Sequence, residues 1–195
     1  MKHHGVLIFG SGFAGMLLIG WFAFPALLYQ KTEQPLQFSH KVHTGEKVGL
    51  ACEDCHSFRA DGTFAGIPSL DKCAGCHSAQ VSDSPEERML VDEYVSKNKT
   101  IPWLVYARQP QNAYFAHVQH VKLAAIPCER CHGPHGSSDR LPPFERNRIS
   151  GYSRAIWGPN ISGFKSHEWE GMKMDDCSHC HTERGVKESC LECHK

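Results

Sequence analysis

A mostly irregular chain of short α-helices, built around prosthetic groups in place of a large hydrophobic core and preceded by one membrane-crossing helix, is the architecture this sequence predicts. Three observations carry that expectation. A cysteine motif recurs five times, residues 5–28 are apolar and uncharged, and Gly and Pro punctuate the remainder so that no long amphipathic period survives.

All ten cysteines fall into C-x-x-C-H, at Cys52/Cys55/His56, Cys73/Cys76/His77, Cys128/Cys131/His132, Cys177/Cys180/His181 and Cys190/Cys193/His194. Two thiols three residues apart can each form a thioether to one porphyrin edge, and the histidine directly after them reaches the iron as proximal ligand. Disulfides, zinc ribbons and iron–sulfur clusters also use paired cysteines, but none requires a histidine directly after every second one. Five covalent haem c groups are therefore expected. About 165 residues lie beyond the apolar run, roughly 33 per haem, too few for a large core of their own. The haems must supply the core, and folding should depend on their attachment.

The 24 uncharged residues at 5–28 would span about 36 Å as a helix, enough to cross a hydrocarbon layer of about 30 Å with some tilt. A cleaved secretory signal is the rival reading, since Lys2 and the terminal amine form a positive n-region. The run exceeds the usual apolar region of about 7–15 residues, and no small-x-small site clearly ends it, so an uncleaved signal anchor is expected. Residues 1–4, with His3 and His4, form the cytoplasmic tip. Trp21, Phe22, Phe24 and Tyr29 gather where aromatic side chains favour the interface, and Gly10/Ala14 and Ser11/Gly15 have spacing that admits a partner helix. Haem c is attached outside the bacterial cytoplasm, so the chain from about Lys31 onward should lie in the periplasm, held to the inner membrane. A net charge of zero gives no sign of nucleic acid as a partner.

An internal repeat organises the chain beyond the anchor. Phe38-Ser-His40-Lys-Val-His43 precedes the first haem motif and Phe115-Ala-His117-Val-Gln-His120 precedes the third, an F-x-H-x-x-H pattern offset by about 76 residues. Residues 34–81 form a first module with two haem sites, 82–113 a helical linker, and 114–195 a second module with three sites and an insertion at 133–176. The best helix is 84–97, with Ser84 as N-cap, Pro85 at the first position, Glu87 completing a capping box, and Met89, Leu90 and Tyr94 facing inward.

Each iron needs a second axial ligand. Imidazoles three residues apart on a helical turn share one face, so His40, His43, His117 and His120 are the first candidates. His167 and His135 are further candidates by position, whereas His179 lies inside a motif and is awkwardly placed. Met174, just before the fourth motif with Met172, competes as a thioether ligand that raises a haem potential; ordinary packing is its alternative. Five bis-histidine haems would leave two of the seven periplasmic non-motif histidines spare, the number a sixth, non-covalently attached haem needs. Six-coordinate irons leave no open site for a substrate, so electron transfer rather than catalysis is expected. Arg140, Arg146, Arg148 and Arg154 are candidate propionate or partner contacts, against the simpler reading of a solvated loop.

The histidine pairs with C-x-x-C-H resemble the class III cytochromes c. With the anchor, the five motifs, Ile101-Pro102-Trp103 and residues 114–120, the chain is similar to the multihaem cytochrome subunit of the menaquinone reductase and alternative complex III family, over nearly its whole length. That resemblance implies partners: a polytopic quinone-reactive membrane subunit, an iron–sulfur subunit, a molybdopterin-enzyme-like subunit, and, in the menaquinone reductase branch, a soluble periplasmic tetrahaem cytochrome c as donor. In the other branch electrons leave quinol for a high-potential acceptor. The compact chain favours the reductase branch. Met172-Lys173-Met174 and the insertion depart from both patterns. Membrane-anchored quinol dehydrogenases of periplasmic nitrate and nitrite reduction also resemble this layout, but they carry C-x-x-C-H-x-M, and here Phe58 stands at the methionine position.

Overall fold

The computed structural model describes residues 2–107, 112–158, 164–187 and 190–194. Its N-terminal helix runs as α1 (Lys2–Leu18), a π-helical turn at Ile19–Ala23, and α2 (Phe24–Leu28). Pro25 explains the wide turn. It has no N–H to offer the Trp21 carbonyl and its ring crowds that oxygen, so the backbone opens and the Phe24 N–H bonds to the Ile19 oxygen five residues back. From His4 to Leu28 the helix is long and apolar enough to cross a membrane, and the chain itself covers almost none of it until Leu28.

The helix ends where β1 (Tyr29–Thr32) pairs antiparallel with β2 (Phe144–Asn147), in the register Tyr29↔Asn147 to Thr32↔Phe144. The insertion is thus the seat of the helix. Lys31 and Arg154 both reach Glu145, at 3.1 and 2.7 Å, the Tyr29 hydroxyl donates to the Gly158 carbonyl at 3.1 Å, and the Arg148 N–H donates to the Leu28 carbonyl at 2.9 Å. Asn147, only 2 % exposed, turns the chain after β2 by accepting from the N–H groups of Ile149 and Ser150, both at 2.9 Å. Asn147→Ala leaves two N–H groups short of a partner and should cost about 1–3 kcal/mol. Tryptic cleavage at Arg148 in the detergent-solubilised protein should accelerate accordingly; an unchanged rate counts against this role.

Everything else is short helices and loops: α3 (His40–Thr44), α4 (Cys52–Cys55), α5 (Leu70–Ala74), α6 (Pro85–Met89), α7 (Glu129–His132), α8 (Arg154–Trp157), α9 (Met174–Glu183) and α10 (Cys190–Cys193), with further π-helical segments at Leu90–Val95 and Val118–Leu123. The main apolar cluster is small: Leu36, Leu90, Tyr94 and Ile101, with Leu70, Cys73, Val95 and Trp103 against it. Gln34 is buried beside it and pairs with Leu104 through both amide atoms, at 2.9 and 3.0 Å.

The expected helix at 84–97 forms as α6 and the π-helical segment together, closed by Asn98 at φ +46 and a Lys99 N–H to Tyr94 carbonyl bond of 2.9 Å. Ser84 caps it, accepting from the Glu87 N–H. Two details differ from expectation. Met89 points outward, 45 % exposed, because Leu90 and Tyr94, four apart, hold the buried face. The Glu87 side chain does not close a capping box; it turns toward His77 instead.

Candidate haem centres

Each C-x-x-C-H occupies one helical turn, which is what the chemistry of the motif needs. The histidine N–H bonds to the carbonyl of the first cysteine in four copies, at 2.8 Å for His56, 2.9 Å for His77, 3.0 Å for His132 and 3.0 Å for His194, and the fourth copy lies inside α9. Both thiols and the imidazole then share a face. Gly133, directly after His132, has φ +77, and a Cβ there would come 2.8 Å from the Trp169 ring, so only glycine lets α7 end against that indole.

The two F-x-H-x-x-H segments have the same geometry. Phe38 meets the His40 ring edge-on at 4.9 Å and stacks on His43 at 4.3 Å; Phe115 meets His117 at 4.9 Å and stacks on His120 at 4.2 Å. His43 and His120 each turn Nδ1 to the carbonyl four residues back, Ser39 at 2.8 Å and Ala116 at 3.0 Å. The segments interlock with the opposite module. His117 Nδ1 reaches the Thr63 carbonyl at 2.8 Å, and His40 Nδ1 reaches the Ser138 hydroxyl at 3.2 Å. Thr63 and Ser138 have no signature in the sequence, since each is an ordinary loop residue brought in from a distance.

Four of these histidines face four motif histidines. Ring centres are 6.4 Å apart for His40 and His56, 6.1 Å for His43 and His77, 6.2 Å for His117 and His132, and 6.0 Å for His120 and His181. Two imidazoles held trans on one metal, with metal–nitrogen distances of about 2 Å, have ring centres roughly 6 Å apart. Histidines three residues apart thus serve different motifs. Burial lowers His40 to about 4, helped by the nearby His56, His135 and His43, and burial also lowers His132. Burial thus favours the neutral form of both imidazoles, the form with a lone pair to give.

Thiols of different motifs come within electrostatic reach of one another. Burial pushes Cys73, Cys128 and Cys131 up, and Cys55, Cys52 and Cys180 respectively add to the shift, Cys52 through a hydrogen bond as well. Taken by these neighbours, the motifs run second, first, third and fourth. The cysteines are not covered alike: Cys76 is exposed, whereas Cys73 of the same motif is half-buried. The reason is local. Cys73 lies in α5 and packs against the apolar cluster, while Cys76 falls in the turn beyond the end of α5 at Ala74. Cys190 and Cys193 of the fifth motif are exposed as well, on the short terminal helix α10. The polypeptide thus covers one thiol of the second motif and leaves the other at the surface.

None of the ten cysteines forms a disulfide. Among the described residues no group of three or more His, Cys, Asp or Glu converges as a tetrahedral zinc site requires. Paired thiols next to a histidine that faces a second imidazole about 6 Å away fit c-type haem.

The remaining candidates sit elsewhere. His135 lies in a short turn (His135–Ser137) with its ring 6.4 Å from His40. His167 stacks flat on Trp169 at 4.4 Å, His179 pairs with Glu183 at 3.2 Å, and Met174 begins α9 with 66 % of its surface exposed. His194, in the fifth motif, turns Nδ1 to the Asn112 carbonyl at 3.3 Å.

Glu87 is the group that sequence reasoning assigned to a helix cap. Its carboxylate accepts from His77 Nδ1 at 2.6 Å, the Val81 N–H at 2.8 Å, the Ser82 N–H at 2.7 Å and the Ser82 hydroxyl. Those bonds, the Ser82 hydroxyl first, hold it ionised down to about 2.

Residues 25–102 match the Class III cytochrome C family. That stretch contains the first histidine pair and the first two motifs. Along 98 % of its length the chain is similar to the protein named menaquinone reductase, multiheme cytochrome c subunit, of Nitratidesulfovibrio vulgaris, with 38 % identity over 206 residues and 90 % of that relative covered.

Proposed function

Since the chain belongs to the family of the menaquinone reductase multiheme cytochrome c subunit, we propose that it is the periplasmic electron-transfer subunit of a membrane-bound quinone oxidoreductase complex. It passes electrons between a soluble periplasmic tetrahaem cytochrome c and the complex, for menaquinone reduction. The observation that carries this reading is the four facing imidazole pairs, each with one member in a C-x-x-C-H motif.

Haem c, when bound, supplies reversible one-electron exchange at an iron whose potential depends on its axial ligands and surroundings. The residues have separate tasks. Cys52/Cys55, Cys73/Cys76, Cys128/Cys131, Cys177/Cys180 and Cys190/Cys193 would attach the groups covalently, and His56, His77, His132, His181 and His194 would each give the iron a nitrogen. His40, His43, His117 and His120 complete the first four sites, and His135, His167 or Met174 the fifth. Carbonyls of Gly66, Ser39, Thr63 and Ala116 fix Nδ1 as the protonated nitrogen on His56, His43, His117 and His120, leaving Nε2 for metal. Succession of the second, first, third and fourth motifs gives a path that crosses from one module to the other. The anchor, seated on β2, holds that path at the membrane surface.

Solubilised in mild detergent, the chain should copurify with a polytopic membrane subunit, an iron–sulfur subunit and a molybdopterin-enzyme-like subunit. The complex should accept electrons from a reduced tetrahaem cytochrome and pass them to a menaquinone analogue. A chain that purifies alone and reduces no quinone in its membranes would overturn this reading. Acidic acetone should extract no haem if five covalent groups are the full complement; extracted haem would instead report the sixth, non-covalent group.

A further inference from the structure

Among the seven haem-centre histidines whose Nδ1 partner is seen, His77 stands apart. Nδ1 of His56, His43, His117, His120 and His194 goes to a backbone carbonyl, and that of His40 to the Ser138 hydroxyl, all neutral oxygens. Nδ1 of His77 goes to a carboxylate, 2.6 Å away on Glu87. Both side chains are well covered, 19 % and 7 % exposed, and the main apolar cluster packs against Cys73 of the same motif. The hydrogen bond between them is therefore largely shielded from direct contact with water.

The carboxylate is also held from several sides. The first turn of α6 carries it, and the Val81 N–H, Ser82 N–H and Ser82 hydroxyl occupy its other lone pairs. We propose that Glu87 is a positioning and tuning residue for the haem of the second motif, holding His77 as the Nδ1–H tautomer and lowering the reduction potential of that haem relative to the others. The inference rests on the haem reading above.

The physical reason is charge. Reduction adds one electron, from whatever one-electron donor serves, and no proton need leave the His77–Glu87 pair. The oxidised iron carries one more positive charge than the reduced one, so a fixed negative charge beside its imidazole favours the oxidised state. Replacing a charge-assisted hydrogen bond by a neutral one of the same shape changes the balance by about tenfold, about 59 mV for one electron.

The test is a spectroelectrochemical titration of the full-length protein in detergent, with haem content by pyridine haemochrome and the second motif mapped by peptide mass. Glu87→Gln keeps the shape and removes the charge, so one component should move positive by about that amount while the others stay in place. Ser82→Ala removes a donor that competes for the carboxylate and leaves the charge, so the same component should move negative. The Ser82 variant also decides the matter if the Glu87 variant loses haem. If Glu87 only pins the loop at 77–82, neither variant singles out one component. That result, or equal shifts across several components, overturns the proposal. A wild-type second motif without haem would sink the cofactor reading itself, and peptide mass shows that separately.

Discussion

Produced without haem attachment, the chain should keep its N-terminal helix in the membrane and lose the rest of its fold. The polypeptide exposes 14074 Å² of surface, whereas a compact monomer of 21.9 kDa is expected to expose about 9,300 Å². Part of the excess is the apolar helix, which the chain leaves bare, but the described helices after it are at most eleven residues long, the five of α6 and the six that continue it. Helices of that length are marginal in water on their own. Leu36, Leu90, Tyr94 and Ile101 make a core for one end of the first module. In the described part of the second module, Ala116 and Ile126 are the buried apolar residues. A protein organised in this way folds when its prosthetic groups are attached, as small metal domains fold when metal binds. Circular dichroism and limited proteolysis of protein made in cells lacking the haem-attachment machinery check this. A protease-resistant periplasmic portion with native helix content would show that the polypeptide alone specifies the fold.

What the sequence discloses depends on the range of the interaction. C-x-x-C-H and F-x-H-x-x-H put their chemistry within one helical turn, so spacing alone identifies Cys52 to His56 or His40 and His43 as groups that work together. Which motif each histidine faces is a different matter. His40 meets His56 and His43 meets His77 because α3 is wedged between two motifs and leans on Ser138, and that depends on contacts almost a hundred residues apart. Exposure is equally illegible: Cys73 and Cys76 look equivalent in their motif, and only the position of the apolar cluster makes one covered and the other not. The Tyr29–Thr32 and Phe144–Asn147 pairing is hidden for another reason. Four residues with mixed polarity, Tyr-Gln-Lys-Thr and Phe-Glu-Arg-Asn, have too little alternation to announce a strand. At Glu87 a local rule pointed the wrong way. Ser-Pro-Glu-Glu spells a capping box, but a carboxylate within reach of the His77 N–H and two loop N–H groups finds stronger partners there.

Alanine at any one of His40, His43, His117 and His120 should convert one haem, and one only, from low to high spin. Each of these imidazoles stands about one metal's width from a different motif histidine, with ring centres between 6.0 and 6.4 Å apart. Removing it takes one nitrogen from one iron, while both thioethers and the proximal histidine stay, so the haem count should not change. The i, i+3 spacing makes the prediction sharper. If both members of a pair acted on one haem, His40→Ala and His43→Ala together would give a single high-spin centre. With His40 facing His56 and His43 facing His77, the double variant should give two, and all four substitutions together should give four, leaving the haem of His194 unaltered. Electron paramagnetic resonance counts high-spin centres against total haem, and added imidazole should restore the low-spin state of each single variant. His117→Met is the complementary change. A thioether in place of the imidazole should keep the third haem low-spin and raise its potential. Low-spin spectra unchanged in all four alanine variants would remove these histidines from the irons, and with them the path from the second motif to the fourth.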